Sequence, residues 1–204
     1  MGAMKKDKLT LILASRSPRR MELLTMAGIP FETAAADCDE EAILAELREG
    51  LPSIGERTLV EKLALAKARE VLGRFPGSLI LAADTIVTLD GVIFGKPKDE
   101  EDARRMLLTL AGRTHTVDTG VALLSKEGKE VFSQASQVTF RPRTQALEAL
   151  IRKYAATGQP MDKAGAYGIQ ELGGLLIEKI EGDFFSVMGL PIAEVYARLQ
   201  NYPL

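Results

Sequence analysis

The chain has 204 residues, 46% of them hydrophobic and 26% charged, enough for one domain or a single two-lobed unit with a sizeable core. A formal net charge of -2 exerts no general pull on nucleic acid polymers, so any anion site has to be a local cluster of bases. The single cysteine, Cys38, excludes an intrachain disulfide and fits a reducing, cytoplasmic compartment, and with one histidine, His115, it argues against structural zinc.

Residues 1–8 read as a leader, with Met1-Gly2-Ala3 a scar ahead of Met4. The apolar run after Lys5, Lys6 and Lys8 is too short for a signal peptide, and no run anywhere approaches the roughly 20 residues of a membrane span. Leu11 to Ala14 is of strand rather than helix length. Ser17 suits an N-cap and Pro18 the first helical position. Leu23, Leu24 and Ala27 supply an apolar face, and Gly28 a stop. A helix opening there offers backbone N–H groups, the hydroxyls of Ser15 and Ser17, and Arg16, Arg19 and Arg20, a set that attracts phosphate. Taken alone, the stretch reads as a capped surface helix with solvated arginines.

Ile29 to Ala36 is expected as a second strand containing Glu32. Residues 38–49 are acidic and helical in pattern, ended by Gly50 and Pro52, and read as a solvated helix or flap. The acids Asp37, Asp39, Glu40 and Glu41 raise the pKa of a neighbouring thiol, which weakens any Cys38–His115 nucleophilic pair. Thr58-Leu59-Val60-Glu61 matches a capping box opening a helix to about residue 73. Val60, Ala64, Lys67 and Val71 recur at helical spacing. Lys67 on that apolar stripe either snorkels to the edge of the core or reaches inward to an anion, and both readings stand.

Ser78 to Leu89 is apolar on both faces, the pattern of a central strand. Asp84 interrupts it, and a carboxylate there is costly unless it is paired or binds a metal. A metal ligand or general base is the better reading. Asp90-Gly91 marks a hairpin, and Gly95-Lys96-Pro97 leaves Lys96 on a stiffened turn. Asp99 caps a helix to about Ala111. Two long strands, 114–126 and 130–140, follow, with His115 at their entry read as structural. Thr144 opens a helix to about Ala156. Residues 158–174 form a ligand-contacting or simply long surface loop, Leu175 to Ile180 a strand, and the segment after Val187 leads into a final helix.

In this order, Leu13-Ala14-Ser15-Arg16-Ser17-Pro18-Arg19-Arg20, Ala83-Asp84-Thr85, Gly95-Lys96-Pro97, Gly112-Arg113-Thr114-His115, Asp162-Lys163-Ala164-Gly165-Ala166-Tyr167-Gly168-Ile169-Gln170 and Val187-Met188-Gly189-Leu190-Pro191 resemble the motifs of the Maf family of nucleoside triphosphate pyrophosphatases. The resemblance runs from Leu13 to Pro191. Arg16 stands where that family has a small residue, and Met188 where it has valine.

The resemblance implies an α/β fold: an elongated mixed sheet flanked by helices, two lobes around a central cleft, similar to the inosine triphosphate pyrophosphatases, all in one domain over residues 1–204. It implies hydrolysis of a nucleoside triphosphate to monophosphate and pyrophosphate with a divalent cation, Mg²⁺, Mn²⁺ or Co²⁺. Tyr167-Gly168-Ile169-Gln170 resembles the branch acting on dTTP and UTP. Alternatives are a 7-methyl-GTP or modified-nucleotide house-cleaning pyrophosphatase, and a nucleotide-binding regulator of septum formation without turnover. The implied catalytic base is Asp84, with Glu32 and Asp84 as metal ligands. Ser15, Ser17, Arg19, Arg20, Lys67 and Lys96 would bind the triphosphate, and Thr85, Arg19 and Gln170 would govern base choice. The expected partner is the nucleotide, with no nucleic acid polymer and no membrane. The family suggests a homodimer, although no zipper pattern supports one.

Overall fold

The computed structural model describes residues 8–51 and 53–204. The leader, apart from Lys8, and Pro52 lie outside the described residues. Among the described residues, seven strands form one mixed sheet: β1 (Leu11–Leu13), β2 (Glu32–Thr33), β3 (Leu79–Leu89), β4 (Val92–Phe94), β5 (Thr114–Leu124), β6 (Lys129–Phe140) and β7 (Ile177–Glu181). The order is β2-β1-β3-β5-β6-β7, with β4 paired to β3. Among the described residues, seven α-helices flank it: α1 (Pro18–Met26), α2 (Glu40–Gly50), α3 (Glu56–Arg74), α4 (Glu100–Leu110), α5 (Gln145–Ala155), α6 (Phe184–Met188) and α7 (Ile192–Leu199). The architecture is the expected α/β one. The chain divides into two compact units, one of residues up to Asp84 with Gly120–Ser133 and Gly189–Leu204, the other of Thr85–Thr119 and Gln134–Met188.

In the first unit, β1 pairs in parallel with β2 (Ile12↔Glu32) and with β3 (Leu11↔Leu79, Leu13↔Leu81). Every residue of β3 is buried except Thr85, which is half-buried, as an interior strand requires. Helix α3 lays Ala64, Ala68 and Val71 on Ile12, Ile80 and Ala82. Small residues on both sides let helix and sheet approach closely. Gly120 on β5 carries this furthest, since a Cβ there would stand 2.4 Å from the Val60 backbone. Helix α1 stops as expected at Gly28. Its φ is +66°, its N–H donates to the Thr25 carbonyl, and Ile29 N–H donates to that of Leu24. These are the paired bonds of a Schellman motif, which glycine adopts without Cβ strain.

In the second unit, Asp90-Gly91 turns β3 into β4, with Val87 opposite Phe94. Asp99 and Thr144 cap α4 and α5, accepting from the N–H groups of Asp102 and Leu147. The core gathers Leu107, Leu110, Phe140, Ile151 and Tyr154. Residues 158–174 wind through 3-10 turns at Gln159–Asp162, Ala164–Ala166 and Glu171–Leu176.

Several expected boundaries move. Strand β2 covers two residues rather than 29–36, because it lies at the sheet edge against a three-residue β1 and Pro30 has no N–H for a ladder. Helix α3 starts at Glu56 behind Gly55, so Thr58-Glu61 sits inside the helix, and Glu61 accepts from Ser133 Oγ at 2.7 Å instead. The segment before the final helix contains the short α6, and β7 begins at Ile177 rather than Leu175.

Candidate active site

The β1–α1 turn organises the first unit's polar groups. Ser15 is buried, and its Oγ accepts from the Ser17 N–H (3.1 Å) and from Arg20 Nη1 (3.2 Å). Ser17 holds the extended N-cap conformation, but its side chain makes no capping bond. The hydroxyl is therefore not committed to its own helix, while the first-turn N–H groups and the positive end of the helix dipole are set for an anion. Arg20 is fixed a second time, its Nε donating to the Gly189 carbonyl at 2.7 Å. This gives the Val187–Pro191 motif a structural task. Burial lowers the Arg20 pKa, while the negative charges of Asp84 and Glu40 raise it and that of neighbouring Arg19 lowers it. Arg19 is half-buried and Arg16 exposed.

Lys67 and Asp84 form the buried centre. Helix α3 presents Lys67 from its apolar stripe and β3 presents Asp84, at 6% and 7% exposure. Lys67 Nζ donates to Asp84 Oδ1 at 2.5 Å and meets Glu40 Oε1 at 3.0 Å. The alternatives left open for Lys67 are thereby decided: its ammonium points inward and neutralises two carboxylates rather than snorkelling to water. Glu40 is the first residue of α2, whose N-cap Asp39 accepts from the Ala42 N–H at 3.0 Å. Helix α2 buries no residue, as the solvated reading expects, yet its first carboxylate turns onto Lys67. The approach to α2 is held by α3. Glu70 Oε2 accepts from the Asp37 N–H (3.1 Å) and from Arg74 (2.8 Å), and Arg74 donates to the Ala35 carbonyl (2.6 Å).

The structure brings Ser15, Ser17, Arg19, Arg20, Lys67 and Asp84 into one unit, but the carboxylate it adds to them is that of Glu40, not Glu32. Glu32 is exposed on the edge strand β2, level with Ile12 and, one strand further, with Ile80. That is four residues short of Asp84 and two strands away, on the order of 15 Å by ordinary strand spacings. The sequence carried a signal for Glu40, an Asp N-cap followed by an acidic first turn. Only packing shows which carboxylate leans on the lysine. Cys38 is half-buried here. Burial raises its thiol pKa, the Lys67 charge lowers it, and Glu40, Glu70 and Asp84 raise it further, in line with a poor nucleophile.

A divalent cation needs hard oxygen donors. Glu40 and Asp84 each bring a carboxylate oxygen onto the same Lys67 ammonium, at 3.0 and 2.5 Å, so two hard donors converge on one place. Among the described residues there is no cluster of three or more Asp, Glu, His or Cys able to hold a metal. Two carboxylates suit an ion that keeps water and binds substrate phosphates rather than one caged by protein.

The second unit holds Thr85, Lys96 and Gln170. Thr85 Oγ1 lies 2.8 Å from Thr119 Oγ1. Lys96 is exposed on the turn whose Gly95 carbonyl accepts from the Gly165 N–H at 3.0 Å, which ties that turn to the 164–170 loop. The loop is anchored twice. Tyr154 Oη accepts from the Gly168 N–H at 3.1 Å, and the buried Tyr167 hydroxyl meets His115 Nε2 at 2.7 Å. His115 packs edge-on against Phe140 and Tyr167, so its expected structural role takes a definite form: it anchors the loop that carries Gln170, itself half-buried.

A family model described as Maf-like protein matches residues 10–202. The chain is 46% identical over 192 residues to the dTTP/UTP pyrophosphatase of Symbiobacterium thermophilum, covering 94% of this chain and 93% of that protein. It is 47% identical over 186 residues to the dTTP/UTP pyrophosphatase of Thermosipho africanus, covering 91% and 90%. To the one from Bacillus cytotoxicus it is 45% identical over 192 residues, covering 94% of each.

Proposed function

This chain belongs to the family of Maf-like proteins, and from that premise we propose that it hydrolyses nucleoside triphosphates, dTTP and UTP preferred, to the nucleoside monophosphate and pyrophosphate. Its curated relatives carry that activity in their names. The observation that carries the reading is the buried Lys67–Asp84 pair, joined by Glu40, in the unit that also fixes Arg20 on Ser15. A carboxylate has no place in a site that only binds polyanions, unless it handles a proton or a cation. Residues 1–204 are read as one domain, and a homodimer in the cytoplasm is the state the family resemblance and the single cysteine support.

In this reading, water attacks the α-phosphorus and pyrophosphate leaves. Asp84 accepts the proton that water loses. Arg19, Arg20, Lys67 and Lys96 balance the phosphate charge, arginine through bidentate contacts and lysine as a point charge. Ser15, Ser17 and the start of α1 add O–H and N–H donors. Catalysis of this kind is positioning and charge stabilisation rather than covalent chemistry. Glu40 and Asp84 would hold the divalent cation, Mg²⁺, Mn²⁺ or Co²⁺. When bound it neutralises phosphate charge and acidifies water. Gln170 presents an amide donor and acceptor to the pyrimidine edge.

The test is pyrophosphate release from a panel of normal and modified triphosphates with Mg²⁺ or Mn²⁺. Turnover highest for dTTP and UTP supports the proposal. Highest turnover of 7-methyl-GTP or of a modified nucleotide would favour the house-cleaning alternative. Silence across the panel with nucleotide binding retained would overturn the enzyme reading in favour of a regulator.

A further inference from the structure

Gly189 opens the turn that leads into α7, and its backbone stands at φ +109°. Residues with a Cβ are strained in that region, whereas glycine enters it freely. The turn is held from its far side. Leu190 and Ile192 are buried on either side of Pro191, and the Pro191 carbonyl accepts from the Val195 N–H at 3.0 Å as α7 begins. Gly189 is itself buried, so its carbonyl needs a donor. The donor is the Arg20 Nε–H, at 2.7 Å and 169 positions away in the chain. A bond from a cation to a buried carbonyl is of the stronger, charge-assisted kind.

This bond fixes more than one carbonyl. Arg20 Nη1 donates onward to Ser15 Oγ at 3.2 Å. The guanidinium is planar and rigid, so bonds from two of its nitrogens to two separate acceptors set its plane and the direction of its N–H fork. Ser15 Oγ also accepts from the Ser17 N–H at 3.1 Å. A serine hydroxyl has two lone pairs and one proton. With Arg20 and Ser17 taking both lone pairs, the Ser15 proton points away from them, and the hydroxyl meets any further group as a donor. Ser15, Arg20 and Gly189 all belong to the first unit. We propose that Gly189 is a positioning residue for triphosphate binding: its carbonyl sets the Arg20 guanidinium, and through Arg20 the Ser15 hydroxyl, for the phosphate groups of the substrate. The inference rests on the function proposed above and on the phosphate-binding role given there to Arg20 and Ser15.

The experiment is a double-mutant cycle read as kcat/KM for dTTP. Gly189→Ala puts a Cβ at the strained φ and turns the carbonyl off Arg20. It is expected to lower kcat/KM about 10- to 100-fold, the scale on which a small misplacement of a binding group acts. In an Arg20→Lys background the same substitution is expected to change kcat/KM by less than about 2-fold, because lysine has no guanidinium plane to hold. A merely structural role for Gly189 would cost the same factor in both backgrounds, and equal losses overturn the inference. So does unchanged kcat/KM in a Gly189→Ala protein that still melts cooperatively. A second measurement needs no variant to fold. By NMR of the isotope-labelled wild type, the Arg20 Nε–H is expected to exchange with water at least about 10-fold more slowly than that of the exposed Arg16. Equal exchange of the two overturns the inference and leaves the proposed function standing. Wild-type protein that turns over neither dTTP nor UTP would instead overturn the proposed function, and this inference with it.

Discussion

Lys67 on α3 donates to Asp84 on β3 at 2.5 Å, with both residues more than nine-tenths buried. Each charge is tolerated because the other is there. Removing one partner strands the other in a water-poor site, which costs more than the pair contributes. Lys67→Met is expected to destabilise the protein by about 3 kcal/mol, and Lys67→Met with Asp84→Asn to recover most of that loss. Urea unfolding of the two single variants and the double variant checks this. Additive losses would show that the pair is not coupled.

Asp84→Asn keeps the size of the side chain and removes its proton affinity. If Asp84 is the base, dTTP hydrolysis falls about 10²- to 10⁴-fold while nucleotide binding persists. Near-normal turnover of dTTP by this variant would rule the base assignment out.

Glu40, not Glu32, shares Lys67 with Asp84. Glu40→Gln is expected to raise the Mg²⁺ or Mn²⁺ concentration for half-maximal turnover at least about 10-fold, by loss of a hard oxygen ligand. Glu32→Gln, on the exposed edge strand, is expected to leave it unchanged. A metal titration of the two variants decides between the carboxylates, and the reverse pattern would restore Glu32 as the ligand.

Glu70 and Arg74 hold the chain at Ala35 and Asp37 just ahead of Glu40. Both are partly exposed, so Glu70→Ala should cost less than about 1 kcal/mol of stability. It should nevertheless weaken metal activation, because the start of α2 loses its tether. If the metal titration of Glu70→Ala superimposes on wild type, the tether has no part in placing Glu40.

His115 is buried among Phe140 and Tyr167, and its Nδ1 is buried without a hydrogen-bond partner. Burial lowers its pKa from 6.5 to about 4. Well above pH 6.5 the ring is neutral whether the chain is folded or not, and it contributes no pH dependence. As pH falls from about 6.5 toward 4, the unfolded chain binds a proton that the folded protein refuses, so stability declines by up to about 3 kcal/mol. Below about 4 the difference is constant. The unfolding free energy of wild type minus that of His115→Phe, measured between pH 4 and 7, isolates this contribution from the carboxylates common to both. A difference independent of pH would contradict it.

Motifs, apolar periods and turn residues settled much of this protein locally. The apolar run Leu79–Leu89, the Asp90-Gly91 turn and the Asp99 and Thr144 caps are decided by residues within a few positions of one another. The phosphate-attracting start of α1 and the family resemblance follow from the same near-neighbour chemistry, and Lys67 and Asp84 stand out because each is a charge in an apolar pattern. What the sequence left open depends on partners far along the chain. Glu40 looked like one more acid on a solvated helix until α3 drew it to Lys67, and Glu32, inside a stretch read as strand, ended on an exposed edge because β2 is only two residues long. The direction of the lysine and the hold of Gly189 on Arg20 across 169 residues belong to tertiary structure alone. Burial makes an unsatisfied donor or charge costly, and only the packed fold determines which partner is close enough to meet it.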